Sequence, residues 1–198
     1  MMGKVVMGAT VSLDGYIAAA DDSVGPLFDW YGNGNVEVTL GDPDRVFRVS
    51  AASAAYIRAE WSGVRATVIG RRLFDITNGW NGVPAAGEHV FVVTHTPPTQ
   101  WPFPDAPFTF VTDGVANAVA QAQGFAGDGD VSVSAGDIGG QALAAGLVHE
   151  VHSDVVPVVF GSGKRFFGSF AGGPHLLEDP RVIVQGDRVL HLVHPVRR

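Results

Sequence analysis

The 198-residue chain contains no cysteine. Disulfide bonds, thiolate metal sites and cysteine nucleophiles are therefore excluded, and the composition fits a reducing compartment. Positive charge is also scarce, because 13 lysines and arginines stand against 20 aspartates and glutamates, for a formal net charge of -7. No stretch concentrates the basic residues, so neither nucleic acid nor an acidic membrane surface is expected as a partner.

Long hydrophobic runs are missing as well. No window approaches the about 18 consecutive apolar residues of a membrane-spanning helix, and the apolar stretch near the amino terminus is too short for a signal peptide. We therefore expect a cytoplasmic protein without membrane contact. One domain spanning residues 1–198 is expected, because 46% hydrophobic residues can build one sizeable core at this length.

The familiar site motifs are absent too. Two segments begin G-x-G but lack the third glycine of the dinucleotide fingerprint, and neither a phosphate-binding P-loop nor the nucleophile elbow of hydrolases occurs. His149 and His152 are three residues apart, as are His191 and His194. In a strand this spacing sends the two side chains to opposite faces, so no metal site is expected.

What the sequence does contain is a series of strand-length apolar runs. They cover residues 5–11, 66–70, 89–94, 108–111, 131–134 and 150–156. Several are apolar at consecutive positions, which is typical of strands covered on both faces. The sequence therefore predicts an α/β fold with a central sheet between helices.

Three helical segments are expected between these strands. They cover residues 41–61, 113–124 and 137–148. Asp42 and Pro43 carry the signals of a helix start for the first, and Gly124 carries the signal of a helix end for the second. Near the carboxyl terminus, two strand-like runs flank Gly186 and Asp187, which predicts an antiparallel hairpin.

Five of the strand-length runs end in polar residues or glycine. The breaks are SLDGY (12–16), GRRLFD (70–75), THTPP (94–98), SAGDIGG (134–140) and GSGKRFF (161–167). Strand ends on one edge of an open α/β sheet line the crevice where ligands bind, so we expect these breaks to converge. The alternative is that they are ordinary turns.

Two of the breaks have features of phosphate sites. Gly70 permits a close backbone approach, and Arg71 and Arg72 follow at the expected start of a helix. The glycine-lined turn before the third helical segment suits a pyrophosphate, unless the carboxylate of Asp137 faces it. The alternative for the arginines is a solvated surface position.

Taken in order, the five breaks resemble the dihydrofolate reductase-like superfamily, and most closely the branch of the riboflavin-biosynthesis reductase C-terminal domain. The resemblance runs from about residue 4 to residue 194. It implies a mostly parallel sheet with helices on both faces, an antiparallel C-terminal hairpin and NADPH bound across the strand ends. The implied cofactor-binding residues are Gly70, Arg71, Arg72, Thr94, His95, Ala135, Gly136, Asp137 and Ile138. Ala135 departs from the glycine that is usual in the family.

The same resemblance places Asp14 and Tyr16 beside the nicotinamide and the substrate as candidate catalytic residues. We expect Asp14 to anchor amino groups of a heterocycle; a raised pKa would instead let it assist proton transfer, and a third possibility is that it caps its own turn. Trp30 is expected to stack on a flat ring as part of a lid with Phe28 and Tyr31; the alternative is that these aromatic residues pack within the protein. The remaining predicted substrate-binding residues are Gly161, Gly163 and Lys164.

The predicted function is an NADPH-dependent reductase that transfers a hydride to a small heterocyclic substrate, such as a pteridine or an aminopyrimidine. One alternative is a riboflavin-pathway reductase of the 5-amino-6-(5-phosphoribosylamino)uracil type. Another is a non-catalytic nucleotide-binding protein of the same fold. A homodimer is also expected, because an apolar C-terminal hairpin would lie at the edge of the sheet.

Overall fold

The computed structural model describes residues 3–170 and 173–197. In chain order the strands are β1 (Val5–Ser12), β2 (Tyr16–Ala18), β3 (Val36–Val38), β4 (Phe47–Val49), β5 (Val64–Gly70), β6 (His89–Val93), β7 (Phe108–Val111), β8 (Asp130–Ser134), β9 (Glu150–Val156), β10 (Lys164–Arg165), β11 (Val182–Gln185) and β12 (Leu190–Pro195). The α-helices are α1 (Ala51–Glu60), α2 (Arg71–Thr77), α3 (Val115–Ala126) and α4 (Asp137–Ala144). Two 3₁₀ segments cover Gly25–Gly32 and Asn78–Gly82.

Eight of these strands form one sheet, in the order β11-β12-β9-β1-β8-β5-β6-β7. The strands from β9 to β7 are mutually parallel. At one edge β12 pairs antiparallel with β9, and β11 pairs antiparallel with β12 to complete the hairpin. This arrangement confirms the predicted fold class. Because β1, β5, β6, β8 and β9 share one direction, their carboxyl ends lie along the same side of the sheet.

The central strands of the sheet are buried on both faces. On one face, α3 and α4 pack against valines of the central strands, and on the other face α1 and α2 do so. Representative core residues of the first face are Val5, Met7, Val119, Val131 and Leu143. Burial of each such side chain contributes about 1.5–3 kcal/mol of hydrophobic free energy, which holds the strand ends in fixed relative positions.

Helix α4 packs directly against the sheet at Gly139. A methyl group at this position would lie 2.7 Å from Cε of Met7 and 2.8 Å from the carbonyl oxygen of Ser134. Only glycine therefore permits this approach. The contact brings the amino terminus of α4 to the carboxyl ends of β1 and β8.

The predicted start of the first helix is wrong. Helix α1 has Ser50 as its N-cap, and the Ser50 hydroxyl accepts a hydrogen bond of 3.2 Å from the amide of Ser53. Asp42 and Pro43 lie before this helix, in a loop that leads into residues 47–49. These residues form β4, which pairs with β3. The serine cap decides where the helix begins, because its oxygen satisfies an amide that would otherwise have no partner.

The predicted end of the second helix is also wrong. Helix α3 continues through Gly124 and ends at Ala126, with Gly127 as its C-cap at a φ of 65°. Ala126 is fully buried and continues the apolar face of the helix, so tertiary packing outweighs the weak helix propensity of glycine.

None of the helices in residues 3–170 and 173–197 is long and apolar enough to cross a membrane.

Candidate functional site

The loops at the carboxyl ends of the strands are tied to one another by backbone hydrogen bonds. The amide of Phe166 donates to the carbonyl oxygen of Gly15 over 2.9 Å, and the amide of Gly136 donates to the carbonyl oxygen of Phe166 over 2.7 Å. Gly70 lies so close to Ile138 that a methyl group there would approach Cγ1 to 2.9 Å. The breaks after β1, β5, β8 and β9 are therefore neighbours in space, as expected from the sequence.

A cavity of about 250 Å³ lies at this side of the sheet. Its lining residues are Gly136, Asp137, Gly163, Lys164, Arg165, Gly168 and Ser169. The cavity thus combines residues of the turn predicted for the cofactor with residues predicted for the substrate. The sequence reasoning did not include Gly168 and Ser169 among the site residues.

Two glycines shape this cavity. Gly136 precedes α4 with a φ of 91°, a conformation that disfavours other residues. Gly163 has a φ of 142°, and a methyl group there would lie 2.1 Å from the carbonyl oxygen of Ala18. The free amides at the start of α4 and the positive end of its dipole favour an anion in this place.

Asp137 is the acidic residue whose orientation matters most for an anion. Its carboxylate accepts a hydrogen bond of 2.9 Å from the amide of Ser169. Gly168 leaves room for this contact, because a methyl group there would lie 2.5 Å from the carboxylate oxygen. The side chain is therefore engaged by the loop at residues 168–169, although it still lines the cavity. Ala135, two residues earlier, packs against the core and its amide donates to the carbonyl oxygen of Gly8 over 3.3 Å.

Arg71 joins the start of α2 to the end of β6. Its guanidinium donates to Asp75 over 2.7 Å, to the hydroxyl of Thr94 over 3.5 Å and to the carbonyl oxygen of Thr96. Two residues predicted for the cofactor, Arg71 and Thr94, are thus in contact. His95, the next residue in the chain, is exposed beside them.

Arg72 and Lys164 converge on Asp22. The guanidinium of Arg72 donates to one carboxylate oxygen of Asp22, and Nζ of Lys164 lies 3.9 Å from the other. The hydrogen bond from Arg72 lowers the pKa of Asp22, and the charge of Lys164 lowers it further. Sequence reasoning missed Asp22; the polar cluster that follows β2 was the available signal.

Solved structures with a similar fold include three bacterial proteins. A putative riboflavin biosynthesis protein from Shewanella sp. PV-4 matches 98% of this chain and 99% of its own, with a TM-score of 0.67 and 19% identity. A diaminohydroxyphosphoribosylaminopyrimidine deaminase/5-amino-6-(5-phosphoribosylamino)uracil reductase from Thermotoga maritima has a TM-score of 0.62 and 14% identity, over 99% of this chain and 57% of that one. Dihydrofolate reductase from Enterococcus faecalis, complexed with NADP(H) and RAB-propyl, has a TM-score of 0.58 and 14% identity, over 100% and 99% of the two chains.

The chain has the dihydrofolate reductase-like fold. No family of known sequences and no curated protein matches it significantly by sequence alone. At these identities the structural likeness establishes the fold, while the chemistry of the site has to be argued from its residues.

Within this dihydrofolate reductase-like fold, Asp14 does not have the raised pKa that proton transfer would require. The hydrogen bond of 2.6 Å from the hydroxyl of Ser12 lowers its pKa most, and the amides of Gly161 and Phe160 lower it further from 2.7 and 3.1 Å. Asp14 is exposed and ionised, and it fastens the loop after β9 to the turn after β1. The same Ser12 hydroxyl accepts a hydrogen bond of 2.9 Å from the amide of Tyr16, which is half-buried.

Trp30 is not part of an exposed lid, and this prediction is wrong. The residue is 2% exposed, its indole nitrogen donates to the hydroxyl of Thr10 over 3.3 Å, and its ring stacks on Tyr31 at 4.0 Å. The 3₁₀ segment Gly25–Gly32 buries it against the face that α1 covers. Among the three aromatic residues of the predicted lid, Phe28 is the exposed one, at 46%.

A second polar cluster lies at the opposite, amino-terminal side of the sheet in this dihydrofolate reductase-like fold. Glu60, Glu150 and His152 place possible metal-ligand atoms within 4.8 Å of one another. Arg181 already donates to both carboxylates, over 2.5 Å to Glu60 and 2.7 Å to Glu150, and Lys4 donates to Glu150 over 3.0 Å. The carboxylates are thus balanced by cations of the chain itself, which makes the cluster an ion-pair network.

Proposed function

We propose that the chain is an NADPH-dependent reductase that transfers a hydride to a small heterocyclic substrate. The observation that carries this proposal is the cavity in which the start of α4 at Gly136 lies beside Lys164 and Arg165. Backbone amides at a helix start together with two cations form a donor set suited to phosphate groups. The folds of two neighbours that are named reductases support the assignment.

The residues around this cavity fit a dinucleotide that carries phosphates. Residues 135–138 would hold the pyrophosphate, because Gly136 lets the backbone approach closely and α4 presents its free amides there. Arg71, Arg72, Thr94 and His95 would hold the adenosine 2'-phosphate at the ends of β5 and β6. When bound, the nicotinamide supplies the hydride, and the protein supplies binding and orientation.

The substrate would lie where the turn after β1 meets the loop after β9. The amide of Leu13 donates to the carbonyl oxygen of Val158 over 2.8 Å, and Asp14 clamps the same loop. Leu13 is 68% exposed and Val159 is 69% exposed, so this place offers apolar surface to a flat ring. The turn and the loop that carry these side chains are held together by Asp14, which we therefore assign as a positioning residue.

The riboflavin-pathway reductase is the second candidate, because Lys164 and Arg165 lie at the cavity and are able to bind the phosphate of a ribosylaminopyrimidine. The two candidates share the cofactor and differ in the substrate. Faster oxidation of NADPH with 5-amino-6-(5-phosphoribosylamino)uracil than with unphosphorylated pteridines would favour the riboflavin-pathway enzyme. The opposite order would favour reduction of an unphosphorylated heterocycle.

Calorimetric titration with NADPH and NADH tests the cofactor assignment. We expect a dissociation constant for NADPH in the micromolar range and weaker binding of NADH, with the difference reduced in Arg71→Ala and Arg72→Ala. Arg48→Ala is the control, because Arg48 pairs with Glu37 on the exposed β3–β4 hairpin. Absence of binding by both nucleotides would refute the proposed function, and NADPH binding without turnover of any heterocycle would leave the non-catalytic alternative.

A further inference from the structure

Asp22 is enclosed by cations that come from two different elements. Arg72 belongs to the first turn of α2, and Lys164 begins β10. Both approach the carboxylate of Asp22, whose side chain is only 10% exposed, whereas the side chains of Arg72 and Lys164 are 68% and 43% exposed. The carboxylate therefore occupies the place toward which the two cations point.

The turn that carries Asp22 follows β2 directly. It is closed by backbone hydrogen bonds between Ala19 and Ser23 (2.8 Å) and between Asp22 and Ala19 (3.1 Å). Asp21 binds within its own turn, accepting from the amide and the hydroxyl of Ser23. The carboxylate of Asp22 instead contacts the two cations, and the φ of 68° at this residue is in the left-handed region that favours glycine. Two adjacent aspartates thus have different partners.

Lys164 connects this ion pair to the cavity. It lines the cavity together with Gly136 and Asp137, and it also lies beside Asp22. A phosphate group in the cavity and the carboxylate of Asp22 would therefore draw on the same cation. Guanidinium and ammonium groups bind carboxylates and phosphates through the same charge-assisted hydrogen bonds, so the two anions compete.

We infer that the carboxylate of Asp22, together with its partners Arg72 and Lys164, forms an acidic latch. The phosphate groups of the nucleotide displace Asp22 from these cations, and the turn at residues 19–23 is then released from α2 and β10. This inference rests on the proposed function for the identity of the nucleotide. The competition itself needs only an anion with the chemistry of a phosphate.

The latch lowers the affinity of the site for phosphates. Replacement of the carboxylate by an amide keeps the shape of the side chain and removes the competing charge. We expect Asp22→Asn to bind NADPH and inorganic pyrophosphate about twofold to fivefold more tightly, which is the range expected for a surface ion pair whose cations are reached by solvent. Asp21→Asn is the matched control, because it removes the neighbouring charge without touching either cation.

Isothermal titration calorimetry with NADPH and with inorganic pyrophosphate, at one ionic strength, tests the latch. The variants are Asp22→Asn, Asp21→Asn, Arg72→Ala and the double variant of Asp22→Asn with Arg72→Ala. We expect a gain in Asp22→Asn, no gain in Asp21→Asn and a smaller gain from Asp22→Asn when Arg72 is already absent. Non-additivity of this kind is the signature of two groups that act through each other.

The outcomes separate the latch from the proposed function. If wild type binds NADPH and Asp22→Asn binds it no more tightly, the latch is refuted and the reductase proposal stands. If NADPH does not bind but Asp22→Asn gains affinity for pyrophosphate, the latch holds and the cofactor assignment fails. Equal gains of affinity in Asp22→Asn and Asp21→Asn would show that only the net charge matters, and would refute the latch. If neither NADPH nor pyrophosphate binds to any variant, both the latch and the proposed function are refuted.

Discussion

At the scale of the residue, Asp14 shows what a sequence pattern leaves open. Its position after β1 was predictable, because a polar break follows a buried run. The direction of its pKa shift was not, since it depends on Ser12, Phe160 and Gly161, and the last two lie more than a hundred residues away in the chain. Backbone amides that donate to a carboxylate stabilise its charged form, so Asp14 orders two loops instead of supplying a proton.

We therefore predict that Asp14→Asn slows turnover without altering its pH dependence. The amide loses charge-assisted hydrogen bonds, the loop after β9 loosens, and misplacement of a substrate-binding loop costs about tenfold to a hundredfold in rate. The profile of kcat/KM between pH 5 and pH 8 should keep its shape, because Asp14 is already ionised throughout this range. Loss of one limb of the profile would show that Asp14 is an acid after all, and Asp29→Asn serves as the exposed control.

Glu150 gives a pH-dependent prediction for stability. Burial by itself raises the pKa of Glu150, but hydrogen bonds from His152, Arg181 and Lys4 outweigh it and lower the pKa below the ordinary value of 4.5. A carboxylate with a lowered folded-state pKa stabilises the protein above the unfolded-state value, and this contribution is lost as the pH falls below about 4.5 toward the folded-state pKa. The native fold should thus become less stable in acid.

Urea unfolding of wild type and Glu150→Gln at several pH values tests this contribution. We expect the variant to be less stable by about 1–3 kcal/mol at pH 7, and to lose less stability than wild type between pH 5 and pH 3. Glu37→Gln, which removes an exposed partner of Arg48, should behave like wild type. Parallel pH dependence in wild type and Glu150→Gln would contradict the account.

At the scale of the element, the strands were largely predictable and the connections were not. Consecutive apolar residues in β5 (Val68 and Ile69) and in β6 (Val90, Phe91 and Val92) are buried on opposite faces of the sheet, as the run of apolar residues predicted. The start of α1 depends on a serine cap, and the end of α3 depends on the burial of Ala126 in the core. Trp30 was misassigned because an aromatic residue in a glycine-rich segment has the same sequence signature whether it faces ligand or core.

The hairpin of β11 and β12 is fixed to α1 by a buried polar chain. The hydroxyl of Ser53 lies 2.9 Å from Nε2 of His191, and Nδ1 of His191 lies 2.6 Å from Asp154. These residues are at most 5% exposed. Gly186 closes over them, because a methyl group there would lie 2.2 Å from the Ser53 hydroxyl. Buried groups linked in this way stabilise one docking of the hairpin.

Two glycine substitutions should consequently have opposite effects on stability. Gly186→Ala forces the Ser53 hydroxyl to move and should destabilise the fold by about 1–3 kcal/mol. Gly124 lies inside α3, and apart from its chain neighbours and the backbone of its own helix no described atom lies within 4 Å of where a methyl group would be. Gly124→Ala should therefore stabilise the protein by up to about 1 kcal/mol. Thermal unfolding followed by circular dichroism distinguishes the two variants. Equal midpoints would contradict the close contact at Gly186.

At the scale of the whole molecule, parallel topology explains why distant segments form one site. Rules for α/β sheets predicted that the strand ends would meet, and the contacts of Gly15, Phe166, Gly136 and Ile138 agree with that expectation. The rules did not predict which side chains pair across the loops, and so Asp22 was missed. The homodimer stays a prediction; the edge strand β11, with Ile183 64% exposed, is the surface that would carry it.

The central claim is that the carboxyl ends of the strands, and not the polar cluster at the opposite side, bind a phosphorylated nicotinamide nucleotide. Hydrogen exchange measured by mass spectrometry with and without NADPH tests it most directly. We predict slower exchange in peptides that cover residues 70–72, 94–96, 135–139 and 161–166, and unchanged exchange in those that cover residues 4–6, 60–63 and 150–152. Protection confined to the second group, or protection in neither group at saturating NADPH, would contradict the claim.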